Sequence, residues 1–168
     1  VEIDVGQGRC GVAPTAAGAL AHQVVSHGLR FAGLQAYNGR AQHLRGAEER
    51  EAAVRHTVAL VRAAQASITA SGMVCPLVTG AGSGTFAFDA GSGVYGELQA
   101  GSYLFMDRDY ADNQPTPNAP VFEHALFVKS QVMSRGADHA VVDAGHKSHA
   151  IDSGLPGVWR RDDLEARR

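Results

Sequence analysis

Nine residues, Val78-Thr79-Gly80-Ala81-Gly82-Ser83-Gly84-Thr85-Phe86, restrict this chain more than any other stretch. An apolar run from Pro76 through Val78 leads the backbone into Gly80, Gly82 and Gly84, whose missing Cβ atoms let successive N–H groups turn toward one point. Ser83 and Thr85 add hydroxyls of the right reach, and a strand feeding a glycine turn is where parallel α/β folds hold phosphate-bearing ligands. No lysine follows as in a P-loop, and the stretch lacks Gly-x-Gly-x-x-Gly spacing, so a plain tight turn is the competing reading.

Composition excludes several classes. The chain has 168 residues, 45% of them apolar, enough for one ordinary core or for one domain and a piece of another. A net charge of −2 with scattered basic residues argues against a nucleic-acid partner, and no apolar run approaches the roughly 20 residues of a membrane helix. Cys10 and Cys75 cannot build a multi-bridge framework, so two free thiols and a cytoplasmic location are expected. The chain begins without Met in alternating Val1-Glu2-Ile3-Asp4-Val5 and ends in a charged stretch, 160–168, with no apolar face. A fragment of a longer protein is expected.

Taken in order, residues 1–5 predict a strand broken by Gly6 and Gly8, ahead of Arg9. An arginine flanked by glycines at a strand end either points at a ligand or satisfies loop carbonyls. Pro14 and Thr15 open a helix, with Thr15 as its cap, Leu20, Val24 and Val25 on its inner face, and Gly28 as its stop. Residues 29–36 predict a second strand through Leu29, Phe31 and Leu34, which opens abruptly onto Tyr37, Asn38, Arg40, Gln42 and His43. Polar groups at the C-terminal end of a parallel strand stand on the ligand side, an exposed polar loop being the alternative. Residues 48–71 form the longest helical pattern, with Val54, Val58 and Val61 on one face and Gly72 at its end; Glu48, Glu49 and Glu51 suit its N-terminus.

Beyond the glycine turn, Gly101-Ser102 follows a short strand and offers a second pair of donors to the same anion. Residues 111–120 hold three prolines and two asparagines and read as a linker, after which 125–132 and 139–144 are extended and β-branched. Asp143, His146, His149 and Asp152 recur every third residue, but on strands that spacing alternates faces, and Gly145 and Gly154 oppose a helix; no metal ligands are assigned.

Several motifs carry a family resemblance. They are Val1-Glu2-Ile3-Asp4-Val5-Gly6-Gln7-Gly8-Arg9-Cys10-Gly11-Val12, Gly33-Leu34-Gln35-Ala36-Tyr37, Gln42-His43, Val78 to Thr85, Glu97-Leu98-Gln99, Gly101-Ser102-Tyr103-Leu104-Phe105-Met106-Asp107, Val142-Asp143-Ala144-Gly145 and Asp152-Ser153-Gly154-Leu155-Pro156. In this order they closely resemble the D-threonine aldolase, D-3-hydroxyaspartate aldolase and D-serine dehydratase group of pyridoxal 5'-phosphate enzymes, built like alanine racemase (fold type III). The resemblance runs nearly the whole length. It implies an α/β chain holding the C-terminal half of a (β/α)8 TIM barrel, about four βα units over residues 1–110, then a linker at 111–120 and the first strands of a β-rich domain over 121–168.

The same resemblance assigns a site. The cofactor phosphate sits on Gly80, Gly82, Ser83, Gly84 and Thr85 and on Gly101, Ser102 and Tyr103. Arg9 faces the pyridine ring or its nitrogen, with Gln99, where racemases carry an arginine, competing for that place. Tyr37 positions the reacting carbon and His43 moves protons there. The substrate implied is a small D-amino acid with a β-hydroxyl, and a homodimer is compatible. The family's covalent lysine belongs on the first barrel strand, and neither Lys129 nor Lys147 stands in a matching context; its divalent metal (Mn, Mg or Zn) takes ligands further along the second domain. These residues alone are therefore expected to be inactive. A racemase or cofactor carrier on the same barrel, or a non-catalytic phosphate-binding fragment, are the alternatives.

Overall fold

The computed structural model describes residues 1–152 and 154–159; the charged stretch 160–168 and Ser153 of the last motif lie outside the described residues. Three parallel strands, β1 (Leu34–Ala36), β2 (Val78–Gly80) and β3 (Glu97–Leu98), form a sheet in that order. Leu34 stands opposite Val78, Gln35 opposite Thr79, and Thr79 opposite Glu97. Residues 1–5 extend the sheet on the β1 side, but pair only through a Glu2–Gln35 and an Ile3–Val12 bridge. Gly11 lies directly against the Ile3 backbone in this pairing, where a Cβ would sit 2.5 Å from the Ile3 carbonyl carbon. Two helices pack on the sheet, α1 (Ala17–Ser26) and α2 (Ala47–Ala70), so the order is a parallel αβ alternation with right-sized crossovers.

Alternation along the strands decides which face is covered. Ile3, Val5, Leu34, Ala36 and Val78 point to the helices and are buried with Ala17, Ala21, Val61, Ala64 and Ile68. The opposite face carries Glu2, Gln35, Thr79 and Glu97 side by side, with Thr79 Oγ1 donating to Glu97 Oε1 at 2.8 Å.

Helix α2 follows its predicted pattern: Val54, Val58 and Val61 are buried, Glu49 accepts from the Gly46 N–H at 3.2 Å, and Gly72 ends it at φ +79°. Helix α1 does not. A 3-10 turn at Pro14–Ala16 precedes it without a Thr15 side-chain cap, and its buried residues are Ala17, Gly18 and Ala21, while Val25 is exposed. The small face wins because the helices touch: a Cβ on Gly18 would lie 2.3 Å from the Ser67 carbonyl oxygen, and the Gly18 N–H donates to Ser67 Oγ at 3.1 Å. The predicted strand over 29–36 likewise contracts to β1, leaving Leu29 exposed.

Two short helices, α3 (Phe86–Gly91) and α4 (Arg108–Ala111), follow β2 and β3. Residues 112–120 are irregular, and they are tied down by Arg50 of α2. That arginine is fully buried and donates to the carbonyls of Leu44 (2.8 Å), Arg45 (2.9 Å) and Gln114. Beyond them an antiparallel pair, β4 (Val132–Arg135) and β5 (Ala140–Val142), forms a second small sheet. No helix among the described residues is long and apolar enough to cross a membrane.

Candidate active site

The site lies where residues 1–5, β1, β2 and β3 end. Asp4 Oδ1 accepts the N–H groups of Gly6 (2.9 Å) and Gly8 (3.1 Å), contacts that hold its carboxyl below the usual range and shape the turn carrying Arg9. Arg9 is exposed, with Nη2 3.8 Å from Glu2 Oε1. Next along the sheet, Gln35 and Gln99 exchange two hydrogen bonds, at 3.0 and 2.7 Å. The Gln99 amide is thus engaged by Gln35, whereas among the described residues the partner of Arg9 is the Glu2 carboxylate at 3.8 Å.

The glycine turn after β2 closes around a side chain that the sequence pattern does not single out. A Cβ on Gly82 would lie 2.4 Å from Gln42 Oε1, and one on Gly84 would lie 2.4 Å from the Gln42 carbonyl oxygen. Gln42 itself is buried; its Oε1 accepts the Gly84 N–H at 2.9 Å and its Nε2 donates to Thr85 Oγ1 at 2.8 Å. The Thr85 hydroxyl in turn bonds the carboxylate of Asp89 on α3, which is 3% exposed with Oδ2 lacking a partner. Burial pushes the Asp89 carboxyl up to about 6, offset in part by Thr85. These glycines thus admit a close neighbour, and Gly84 and Thr85 spend their donors inside the protein. Gly80 packs the same way, against the Ala36 carbonyl and the Tyr95 ring.

Other donors remain. Ala81 adopts φ +63°, a left-handed conformation that costs a non-glycine residue about 1 kcal/mol, and the Gly82 and Ser83 N–H groups after it have no partner among the described residues. The Gly101 and Ser102 N–H groups are equally free, and no atom lies within 4 Å of where a Gly101 Cβ would stand. The turns meet: the Tyr103 N–H donates to Ser83 Oγ at 2.9 Å. Phe122 seals their outer side, with ring centroids 5.2 Å from Tyr103 and 5.7 Å from Phe86.

Tyr110 links these turns to the expected acid–base residues. Its hydroxyl is pushed up to about 12 by burial and by neighbouring Tyr37, with a Ser102 hydrogen bond opposing the rise. Its ring lies 5.2 Å from that of His43. His43 is half exposed, and its Nδ1 stands 2.6 Å from Asp109 Oδ2. Arg45 grips the other oxygen of Asp109 and reaches Asn113 Oδ1 at 2.8 Å. Tyr110 thus neighbours Tyr37, His43 and Ser102, while Arg9 is placed only beside Glu2. Asp109, Tyr110 and Arg45 were not expected; the only sequence cue is the charged run Asp107-Arg108-Asp109-Tyr110 just past the quoted motif. Among the described residues no three of His, Cys, Asp or Glu gather to hold a metal, and Asp143 accepts instead from Ser130 Oγ and the Gln131 N–H. Lys129 and Lys147 are exposed, in the segment of the small sheet.

Comparisons with known proteins place the chain among characterised relatives. The D-threonine aldolase of Arthrobacter sp is 47% identical over 162 residues, 95% of this chain and 42% of that protein. The 3-hydroxy-D-aspartate aldolase of Paracoccus denitrificans (strain Pd 1222) is 41% identical over 172 residues, 98% of this chain and 44% of that protein. The crystal structure of D-threonine aldolase from Filomicrobium marinum superposes with a TM-score of 0.87 at 47% identity, covering 99% of this chain and 47% of that one. D-threo-3-hydroxyaspartate dehydratase from Delftia sp. HT23 follows at 0.71 and 26% identity, covering 86% and 39%. The chain spans less than half the length of these relatives. Residues 1–109 match the family model of the alanine racemase N-terminal domain, and the chain belongs to that family.

Proposed function

We propose that the intact protein is a pyridoxal 5'-phosphate-dependent lyase acting on β-hydroxy D-amino acids, as a D-threonine or D-3-hydroxyaspartate aldolase or a D-serine dehydratase. The observation that carries this reading is the Tyr103–Ser83 bond joining two donor turns beside Tyr110, Tyr37 and His43. Residues 1–110 are read as half of a (β/α)8 barrel, 111–120 as a linker, and 121–168 as the start of a β-rich domain. In support, the helices lie on one face of the parallel sheet and leave the face of Glu2, Gln35, Thr79 and Glu97 uncovered by them, as where the helices of a barrel form its outer ring.

The residues present fit the cofactor. Four unpartnered N–H groups, on Gly82, Ser83, Gly101 and Ser102, with open space at Gly101, suit a phosphate dianion. Gly80, Gly84 and Thr85 shape the first turn, and Tyr103 fastens the second. Arg9 supplies the positive charge for the pyridine nitrogen, since Gln99 is held by Gln35. When bound, the cofactor supplies an electron sink for negative charge developing at the substrate's α-carbon. Tyr37 orients the substrate. His43 takes the β-hydroxyl proton as Cα–Cβ cleaves to glycine and an aldehyde, or returns a proton to the departing hydroxyl on the way to a keto acid and ammonia. The implied divalent metal finds no three-ligand group among the described residues, and no step here uses one.

Incubating the full-length protein separately with D-threonine and D-serine tests the reading. Glycine plus aldehyde identifies the aldolase, and keto acid plus ammonia the dehydratase. Loss of optical activity without cleavage, or no turnover of any β-hydroxy D-amino acid, overturns it.

A further inference from the structure

We infer that Asp109 is the positioning residue that fixes the tautomer and direction of the His43 imidazole, and that Arg45 is the tether that keeps Asp109 in place. The inference rests on reading His43 as the proton carrier and adds the group that makes it one.

The geometry leaves one arrangement. Asp109 Oδ2 lies 2.6 Å from His43 Nδ1, and Arg45 holds Oδ1 of the same carboxylate, so both oxygens are used. Foremost the Arg45 hydrogen bond, and then the His43 contact, hold the Asp109 carboxyl below its usual range despite partial burial. An ionised carboxylate only accepts, so Nδ1 must carry the hydrogen, and Nε2 is left with its lone pair and no partner among the described residues. The Tyr110 ring, 5.2 Å away, limits rotation of the imidazole from one side. The tether is itself anchored: Arg45 also reaches Asn113, its carbonyl accepts from buried Arg50, and Asn113 Nδ2 donates to the Gln42 carbonyl at 2.9 Å. The charged and titratable groups around His43 are thus Asp109 and Tyr110 on α4 and Arg45 on the turn before α2. A carboxylate that orients an imidazole and stabilises its protonated form is a recurrent arrangement for proton transfer near neutral pH.

The test uses the full-length, cofactor-loaded protein and its Asp109→Asn and His43→Gln variants. Long-range proton–nitrogen NMR without substrate is expected to find His43 protonated on Nδ1 in the parent, and a mixture of tautomers in Asp109→Asn. The same variant is expected to lose about 10²-fold in kcat with little change in KM. Should Asp109→Asn fail to fold, Arg45→Gln, which keeps the carboxylate and removes the tether, is expected to show the same tautomer mixture. Full turnover in His43→Gln overturns the dyad together with the catalytic reading of His43. Loss of turnover in His43→Gln, with the parental tautomer and kcat in Asp109→Asn, overturns the dyad alone.

Discussion

The Tyr103 N–H donates to the Ser83 hydroxyl at 2.9 Å, so the turn after β2 and the turn after β3 are fastened to each other before any ligand arrives. Preorganised donors bind an anion without the cost of ordering two loops. Ser83→Ala in the full-length protein removes this fastening and a hydroxyl donor. Cofactor affinity, read by titrating absorbance, is expected to fall about 10-fold, the worth of one lost hydrogen bond of about 1.5 kcal/mol, with little change in thermal stability.

Glycines in the two turns are expected to separate by role. Gly84→Ala would force a methyl to 2.4 Å from the Gln42 carbonyl oxygen, and a loss of roughly 2–3 kcal/mol in denaturant unfolding is expected. Gly101→Ala meets nothing within 4 Å and is expected to stay within about 0.5 kcal/mol of the parent, while weakening phosphate binding where the methyl occupies the open space.

Asp89 makes stability depend on pH. Its folded-state value, raised to about 6 from 3.8, penalises the ionised form, so its favourable contribution is complete below about pH 4 and is lost as pH rises through about 6. Asp89→Asn keeps an acceptor for Thr85 and removes the charge. Unfolding measured from pH 4 to 8 is expected to show the variant more stable than the parent above pH 6, by on the order of 2–3 kcal/mol, with the gap closing toward pH 4. A gap that widens on acidification would contradict the assignment.

Buried Arg50 clamps the segment after α4 to the start of α2 through the Gln114 carbonyl and Thr116 Oγ1 at 3.4 Å, and also holds the Leu44 and Arg45 carbonyls just before α2. Arg50→Met leaves those carbonyls without their donor and is expected to cost about 3 kcal/mol. Hydrogen exchange at Gln114 and Thr116, and proteolysis within 111–120, are expected to quicken more than exchange in β1 or β2.

Periodic and local features were legible. Helix α2 declares itself through Val54, Val58 and Val61, because spacing along the chain is itself the signal there. Features set by contact between distant segments were not. The inner face of α1 is Ala17, Gly18 and Ala21 because Ser67 comes close, and no periodicity in 14–28 reports on residue 67. Gln42 sits in a run of polar loop residues, Arg50 among helix-N-terminal charges, and Asp109 in a charged run past the recognised motif. Each acquires its role from a partner 40 or more residues away: Gly84 for Gln42, Gln114 for Arg50, and His43 for Asp109.

Phe122 lies beyond the proline-rich segment, yet its ring rests on Tyr103 and Phe86, the two residues that flank the turns after β2 and β3. Any swing of the downstream segment must first peel an aromatic side chain off that platform. Moving the downstream segment therefore means wetting the faces of three aromatic rings, a cost that falls on the same two residues that border the turns.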